Sequence, residues 1–130
     1  NKKITIFGGS QIRPNIHIDD LLDIYLMFLS TNKKYNGIFN AGFENLSILQ
    51  IAKVVNKNIN SKIKIIKNIK DVRSYRVDSS KILKLGFNPK KNIEKAIIEL
   101  KNKYKGQNLS KLSPKFFSID WLKKNEKFKK

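Results

Sequence analysis

The 130 residues contain no cysteine, one histidine, one tryptophan, one methionine and three prolines. The absence of cysteine excludes a disulfide framework and thiolate metal sites, and fits a reducing, cytoplasmic setting. A single histidine excludes a multi-histidine centre. The run His17-Ile18-Asp19-Asp20 is a poor ligand set without help from elsewhere in the fold, so no metal is expected. Long apolar runs are also missing. The longest, Leu21 to Leu29, is interrupted by Asp23 and is far shorter than the roughly 20 residues needed to cross a bilayer. No basic segment followed by an apolar one stands at the beginning, so no secretory signal is read there. The chain opens on Asn1, directly on a strand-like segment, and is expected to be a piece of something longer.

Acidic residues are scarce, 10 against 28 basic, which leaves a formal charge of +18. Such a balance ordinarily points to nucleic acid or an anionic membrane surface. The composition qualifies it: 25 of the basic residues are Lys and only 3 are Arg, alongside 19 Ile and 15 Asn. Lys, Asn and Ile have A- and T-rich codons, so a biased genome accounts for much of the charge without selection for basicity. Arginine binds phosphate through a planar, bidentate fork that lysine cannot reproduce. Arg13, Arg73 and Arg76 are therefore the informative cations. The last thirty residues hold ten Lys and two acids, which makes the end of the chain its most basic region.

At 40% hydrophobic residues the chain can bury one modest core. Ile4, Ile6 and Phe7 predict a short strand ending at Gly8-Gly9. After an extended segment containing Pro14, a helix is expected from Asp19 or Asp20 through LLDIYLMFLS. It is apolar on almost every side and so expected to be buried all round. Ile38 to Ala41 reads as a second buried strand. Ser47 to Gln50 forms a capping box, in which serine accepts an orphan amide and glutamine returns to the cap. Ile48, Ile51, Ala52 and Val55 give the helix behind it one apolar stripe. Lys62 to Ile66 alternates as a strand, and a weaker strand is expected near Tyr75. Asp78 or Ser79 caps a short helix that stops at Gly86. Asn92 opens an amphipathic helix with Ile93, Ala96, Ile97, Leu100 and Tyr104 on one face. A further helix start lies at Ser113-Pro114, followed by Phe116, Phe117 and Trp121 among lysines. The class is α/β and helix-rich, with residues 1–106 as one portion and 107–130 as a basic, aromatic, helical tail.

The chemistry is sparse. Gly8-Gly9 lacks the third glycine of a dinucleotide fingerprint, and Pro14 follows where a helix should open. There is no P-loop. What remains suits an anion: Arg13 in an extended segment, Arg73 in a turn, and Asn45 before the Ser47-capped helix, whose free amides and dipole favour negative charge. Two arginines and a helix start would clamp a diphosphate. An alternative stays open, with Arg13 paired to Asp19 or Asp20, Arg73 to Asp71, and Asn40 and Asn45 as ordinary turn residues.

Six stretches in order resemble the C-terminal part of an extended short-chain dehydrogenase/reductase, the NAD-dependent epimerase/dehydratase family acting on nucleotide sugars. They are Gly9-Ser10-Gln11-Ile12-Arg13-Pro14 leading into Ile16-His17-Ile18-Asp19-Asp20, Tyr35 to Gly42 (YNGIFNAG), Leu46-Ser47-Ile48, Asp71-Val72-Arg73-Ser74-Tyr75, Asp78-Ser79-Ser80-Lys81 and Leu85-Gly86-Phe87-Asn88-Pro89. The likeness runs from about residue 4 to residue 104. It implies a substrate-binding portion of a Rossmann-type enzyme that lacks the N-terminal nucleotide-binding core, with Arg13 and Arg73 on the nucleotide diphosphate and Asn45 touching substrate. It also implies NAD as cofactor of a complete, cytoplasmic, homodimeric parent in carbohydrate biosynthesis, with the N-terminal part of the same enzyme as a partner. The family's glycine-rich loop, catalytic Ser/Thr and Tyr-x-x-x-Lys pair lie upstream in such enzymes. The residues four after Tyr25, Tyr35, Tyr75 and Tyr104 are Leu29, Phe39, Ser79 and Asn108, none of them Lys. No catalytic residue is therefore assigned, and the segment is expected to be inactive alone. The competing readings are a small basic nucleic-acid-binding module, favoured by net charge, and a membrane-surface anchor in the aromatic tail.

Overall fold

A computed structural model describes residues 3–30, 35–67, 73–107 and 121. The elements run β1 (Lys3–Phe7), β2 (Ile12–Asn15), α1 (Ile18–Ser30), β3 (Glu44–Ser47), α2 (Ile48–Ile59), β4 (Lys62–Ile66), α3 (Ser80–Leu83) and α4 (Ile93–Lys103). The strands pair two by two. β1 lies parallel to β4, Ile6 opposite Ile65, while β2 lies antiparallel to β3 with Arg13 opposite Leu46 and Pro14 opposite Asn45. A parallel pair needs a long crossover, and here it is everything between β1 and β4.

Local rules account for most element ends. Ser47 Oγ accepts the Gln50 N–H at 3.1 Å, and Gln50 Oε1 accepts the Ser47 N–H at 2.7 Å, closing the expected capping box. Asn60 ends α2 in the left-handed region at φ 47°. Asn92 caps α4 by accepting the Lys95 N–H at 2.9 Å. At α3 the Asp78 carboxylate takes the Ser80 N–H, and Gly86 stops the chain at φ 95°. The start of α1 differs from expectation. Neither Asp19 nor Asp20 is the cap; the helix begins one residue earlier, and His17 supplies the acceptors, its carbonyl to Leu21 N–H at 3.0 Å and its Nδ1 to Asp19 N–H at 3.1 Å.

Asp20 does something else. Its carboxylate is 1% exposed and accepts the backbone N–H groups of Lys90 and Lys91 at 3.0 and 3.1 Å, fastening the approach to α4 onto α1. Glu44 makes a parallel tie from β3, accepting the Ile93 N–H at 2.6 Å. Phe87, from the LGFNP stretch, stacks on Phe43 with ring centroids 5.5 Å apart. Among the described residues the apolar core is small: Ile6, Ile24, Ala52 and Ile82.

Three further expectations are corrected. Ile38 to Ala41 forms no strand, and Ile38 is 85% exposed. A buried strand needs hydrogen-bonding neighbours on its edges, and no described strand lies beside it. Nor is α1 buried all round. Only Asp20 and Ile24 are buried, while Leu22, Leu26 and Leu29 are 53%, 60% and 81% exposed. With Ile18 and Tyr25, also exposed, they form a stripe at spacings of three and four along one side of the helix. The segment near Tyr75 is likewise no strand, although it lies against β2 and β3. The expected helix from Ser113-Pro114 lies outside the described residues apart from Trp121.

An apolar stripe left open to water favours association. The 130-residue chain is expected to self-associate and bind a hydrophobic dye. Leu26→Glu should reduce both while leaving the thermal midpoint within a few degrees, since the side chain it replaces is mostly in water. A monodisperse wild-type monomer that binds no dye would contradict this.

Candidate functional site

Arg13 and Arg73 come together although 60 positions separate them. β2 carries Arg13 into the antiparallel ribbon, and the chain at 73–79 lies against that ribbon through bonds that copy a strand ladder with side chains. Ser74 Oγ accepts the Ile12 N–H at 3.0 Å, and Tyr75 N–H reaches Ile12 O at 3.4 Å. Asn45 pairs with Val77 as one peptide would with another: its Oδ1 accepts the Val77 N–H at 2.9 Å, and its Nδ2 donates to Val77 O at 3.0 Å. Ser79 Oγ accepts the Gly42 N–H at 2.9 Å, where a Cβ on Gly42 would sit 2.9 Å from that of Pro14. This close approach lets the 73–79 segment settle against the ribbon.

The Arg13 guanidinium donates from Nη1 to its own neighbour, Ile12 O, at 2.9 Å, and to the carbonyl of Arg73. It also lies over the Tyr75 ring, 5.4 Å from the centroid. The carbonyl contacts and the aromatic face together fix where the Arg13 charge sits on the ribbon. Tyr75 was legible only as part of a motif; its support of Arg13 depends on the tertiary fold.

The start of α2 is not part of an anion cradle. Ile48 N–H donates to Gln11 O, Leu49 N–H to Gly9 O and Gln50 N–H to Ser47 Oγ, so its first three amides are already bonded. The expectation of free amides beside Asn45 fails for this reason, and Asn45 itself faces Val77. The Gly8-Gly9 turn does not suit a dinucleotide either. It opens into strand β2 where a helix would be needed, and Gln11 closes it internally, accepting Gly9 N–H at 2.7 Å and donating to Phe7 O at 2.8 Å.

The ion pairs weighed for Arg13 also resolve differently. Asp20 holds backbone amides, as above, and Asp19 joins a second cluster. There Lys91 Nζ lies 2.6 Å from both Asp19 Oδ2 and Glu99 Oε1, and Glu99 Oε2 lies 3.0 Å from His17 Nε2. Lys91 hydrogen bonding and charge hold the Asp19 and Glu99 carboxyls below their ordinary values, and the two carboxylates push Lys91 up. One ligand atom each from His17, Asp19 and Glu99 fits within 4.8 Å. Lys91 already neutralises the acidic oxygens, so the group is an ion-pair network and is assigned no metal. Asp71, the partner weighed for Arg73, lies outside the described residues.

A cavity of about 580 Å³ lies between α1 and residues 35–41, walled by Ile24, Phe28, Tyr35, Phe39 and Ile82. Phe28, Tyr35 and Phe39 cluster there with centroids 5.2 to 6.4 Å apart, Tyr35 meeting both phenylalanines edge to face and the two phenylalanines tilted against each other. It opens beside the exposed stripe of α1. Among the described residues no helix is long and apolar enough to cross a membrane.

No protein-family model and no curated protein matches the sequence. Solved structures do. A UDP-glucuronic acid 4-epimerase from Bacillus cereus, in complex with UDP-glucuronic acid and NAD, is 28% identical over 74% of this chain and 33% of its own, with a TM-score of 0.61. A GDP-D-glycero-L-gluco-heptose synthase from Campylobacter jejuni, solved in the presence of NADPH, is 25% identical over 80% of this chain and 33% of its own, at 0.67. A UDP-glucose 4-epimerase from Thermus thermophilus, in complex with NAD, shares the fold alone, at 15% identity, 82% and 36% coverage, and 0.62. The architecture is thus mixed α/β and matches part of a Rossmann-type epimerase/dehydratase. The chain spans about a third of the length of these structures.

The carboxylate network sets a pH dependence. Asp19 and Glu99 titrate lower when folded than their ordinary 3.8 and 4.5, so their contribution to stability is present above those values and is lost as pH falls through the folded ones. Lys91→Met should flatten that acid slope in denaturation curves between about pH 5 and 2, by removing the cause of both shifts. At neutral pH, Asp20→Ala should leave two amides without their acceptor at a cost of about 2 to 5 kcal/mol in urea unfolding. A cost below ~1 kcal/mol would contradict the fastening role.

Proposed function

We propose that this chain is the substrate-recognition portion of an NAD-dependent nucleotide-sugar epimerase or dehydratase, and that Arg13 and Arg73 grip the diphosphate of the nucleotide sugar. The observation that carries the reading is the contact of the Arg13 guanidinium with the Arg73 carbonyl over the Tyr75 ring, which joins two distant arginine-bearing segments into one surface. Two guanidinium forks suit two adjacent phosphates. Asn45 contributes by fixing the backbone at Val77, four residues from Arg73. The solved complex of the Bacillus cereus epimerase with UDP-glucuronic acid, at 28% identity, supports the substrate class.

NAD belongs to the complete enzyme in this reading, since the Gly8-Gly9 turn is no dinucleotide loop. It supplies hydride chemistry when bound. This chain's part is positioning: a diphosphate fixed at one end orients the sugar at the other, and that loss of freedom is prepaid in the fold. Residues 107–130, the most basic stretch of the sequence, are given no part in substrate recognition on this reading. The remaining two thirds of such an enzyme would cover the α1 stripe and the cavity beside it, and the parent is a homodimer on this reading.

Arg73→Lys and Arg13→Lys in the complete enzyme should each weaken nucleotide-sugar binding by about 10- to 150-fold, because charge is kept while the planar fork is lost. Calorimetry at two salt concentrations checks it. Silent substitutions, together with a steeply salt-dependent oligonucleotide affinity that disappears when the tail lysines are removed, would instead support a nucleic-acid-binding module.

A further inference from the structure

The only histidine of the chain occupies a position where both of its ring nitrogens are hydrogen-bonded. His17 ends the connection from β2 and precedes α1, and its side chain is 4% exposed. Nδ1 accepts the Asp19 N–H at 3.1 Å, so it carries no proton. The one proton of a neutral ring then resides on Nε2, which donates to Glu99 Oε2 at 3.0 Å. Each nitrogen has one partner, and only the neutral Nε2–H tautomer serves both.

We propose that His17 is a protonation-sensitive pin between α1 and α4: neutral, it caps α1 and holds Glu99; protonated, it releases the cap. A proton taken from solvent at Nδ1 sets one N–H against another, and the Asp19 amide loses its acceptor. The charged ring has somewhere to turn. Asp19 Oδ2 lies 3.8 Å from Nδ1, and Glu99 is already bonded. Both carboxylates are shared with Lys91, on the connection before α4, and Lys103 of α4 lines the same groove of about 290 Å³ beside the ring. A second cation entering this cluster competes with Lys91 for the same oxygens. The two states are therefore discrete arrangements of one joint. The device is independent of what the arginines bind.

Nitrogen-15 NMR of the 130-residue chain reads the ring directly, with no assignment ambiguity. At neutral pH, Nε2 should be protonated and Nδ1 bare. On acidification, the Asp19 and Leu21 amides should shift with the same midpoint as the ring. Hydrogen exchange at Asp19, corrected for its intrinsic pH dependence, should accelerate about 2- to 10-fold as the cap bond is lost. His17→Asn keeps an acceptor near Nδ1 without titrating and should abolish the acid transition at Asp19. A bare Nε2 at neutral pH, an Asp19 amide that ignores the ring's titration, or an unchanged transition in His17→Asn would each overturn the proposal. The wild-type measurements decide it even if the variant does not fold.

Discussion

The pairing of the Asn45 amide with the Val77 peptide is the contact on which the placing of the 73–79 segment against the β2–β3 ribbon depends. A side-chain amide has the same donor and acceptor as a peptide group, so Asn45 continues the β2–β3 ribbon sideways by one bonded partner without requiring a third strand. Ser74 and Ser79 do the same at either end of that segment, with Ile12 and Gly42. The result is a loop held to strand-like precision by three short polar side chains. The Arg73 backbone comes to lie beside Arg13 through these bonds together with the one from the Arg13 guanidinium to the Arg73 carbonyl. Surrogate bonds of this kind are weaker individually than a ladder. They cluster here on a segment with little apolar packing of its own.

What the sequence revealed and what it hid divide by distance along the chain. The capping box of Ser47 and Gln50, the Asn92 cap and the stop at Gly86 were legible because both partners of each interaction lie within a few residues. The bonding of α2's first amides to Gly9 and Gln11 was not, since those carbonyls come from the far side of the ribbon. This hidden bonding is why the helix start looked available to an anion. His17 as the α1 cap was hidden for a different reason: the two aspartates that follow Ile18 are better capping residues by general preference, and Asp20 is instead buried on the amides of Lys90 and Lys91. The arginines were legible by their rarity and motif setting, whereas their contact was not.

The two failed expectations in the apolar segments have one physical origin. Hydrophobicity reports that a surface is to be covered, and says nothing about whether the covering lies within the same 130 residues. The side of α1 that carries Leu22, Leu26 and Leu29, and the neighbouring Ile38 to Ala41, read as buried because they are built to be, yet they stand open here. A chain matching about a third of a larger architecture is consistent with this pattern of local elements, a small core and a continuous apolar stripe along α1.

The parallel pairing of β1 with β4 also bears on how the molecule assembles. Their partners lie roughly sixty positions apart, so the strand pair closes only after β2, α1, β3 and α2 have been traversed, and loop closure over that span carries a large entropic penalty. The β2–β3 ribbon with α2 behind it can form from nearer neighbours and present Ile6's packing surface first. During synthesis β1 therefore emerges well before β4 and waits without that partner until the intervening elements have followed.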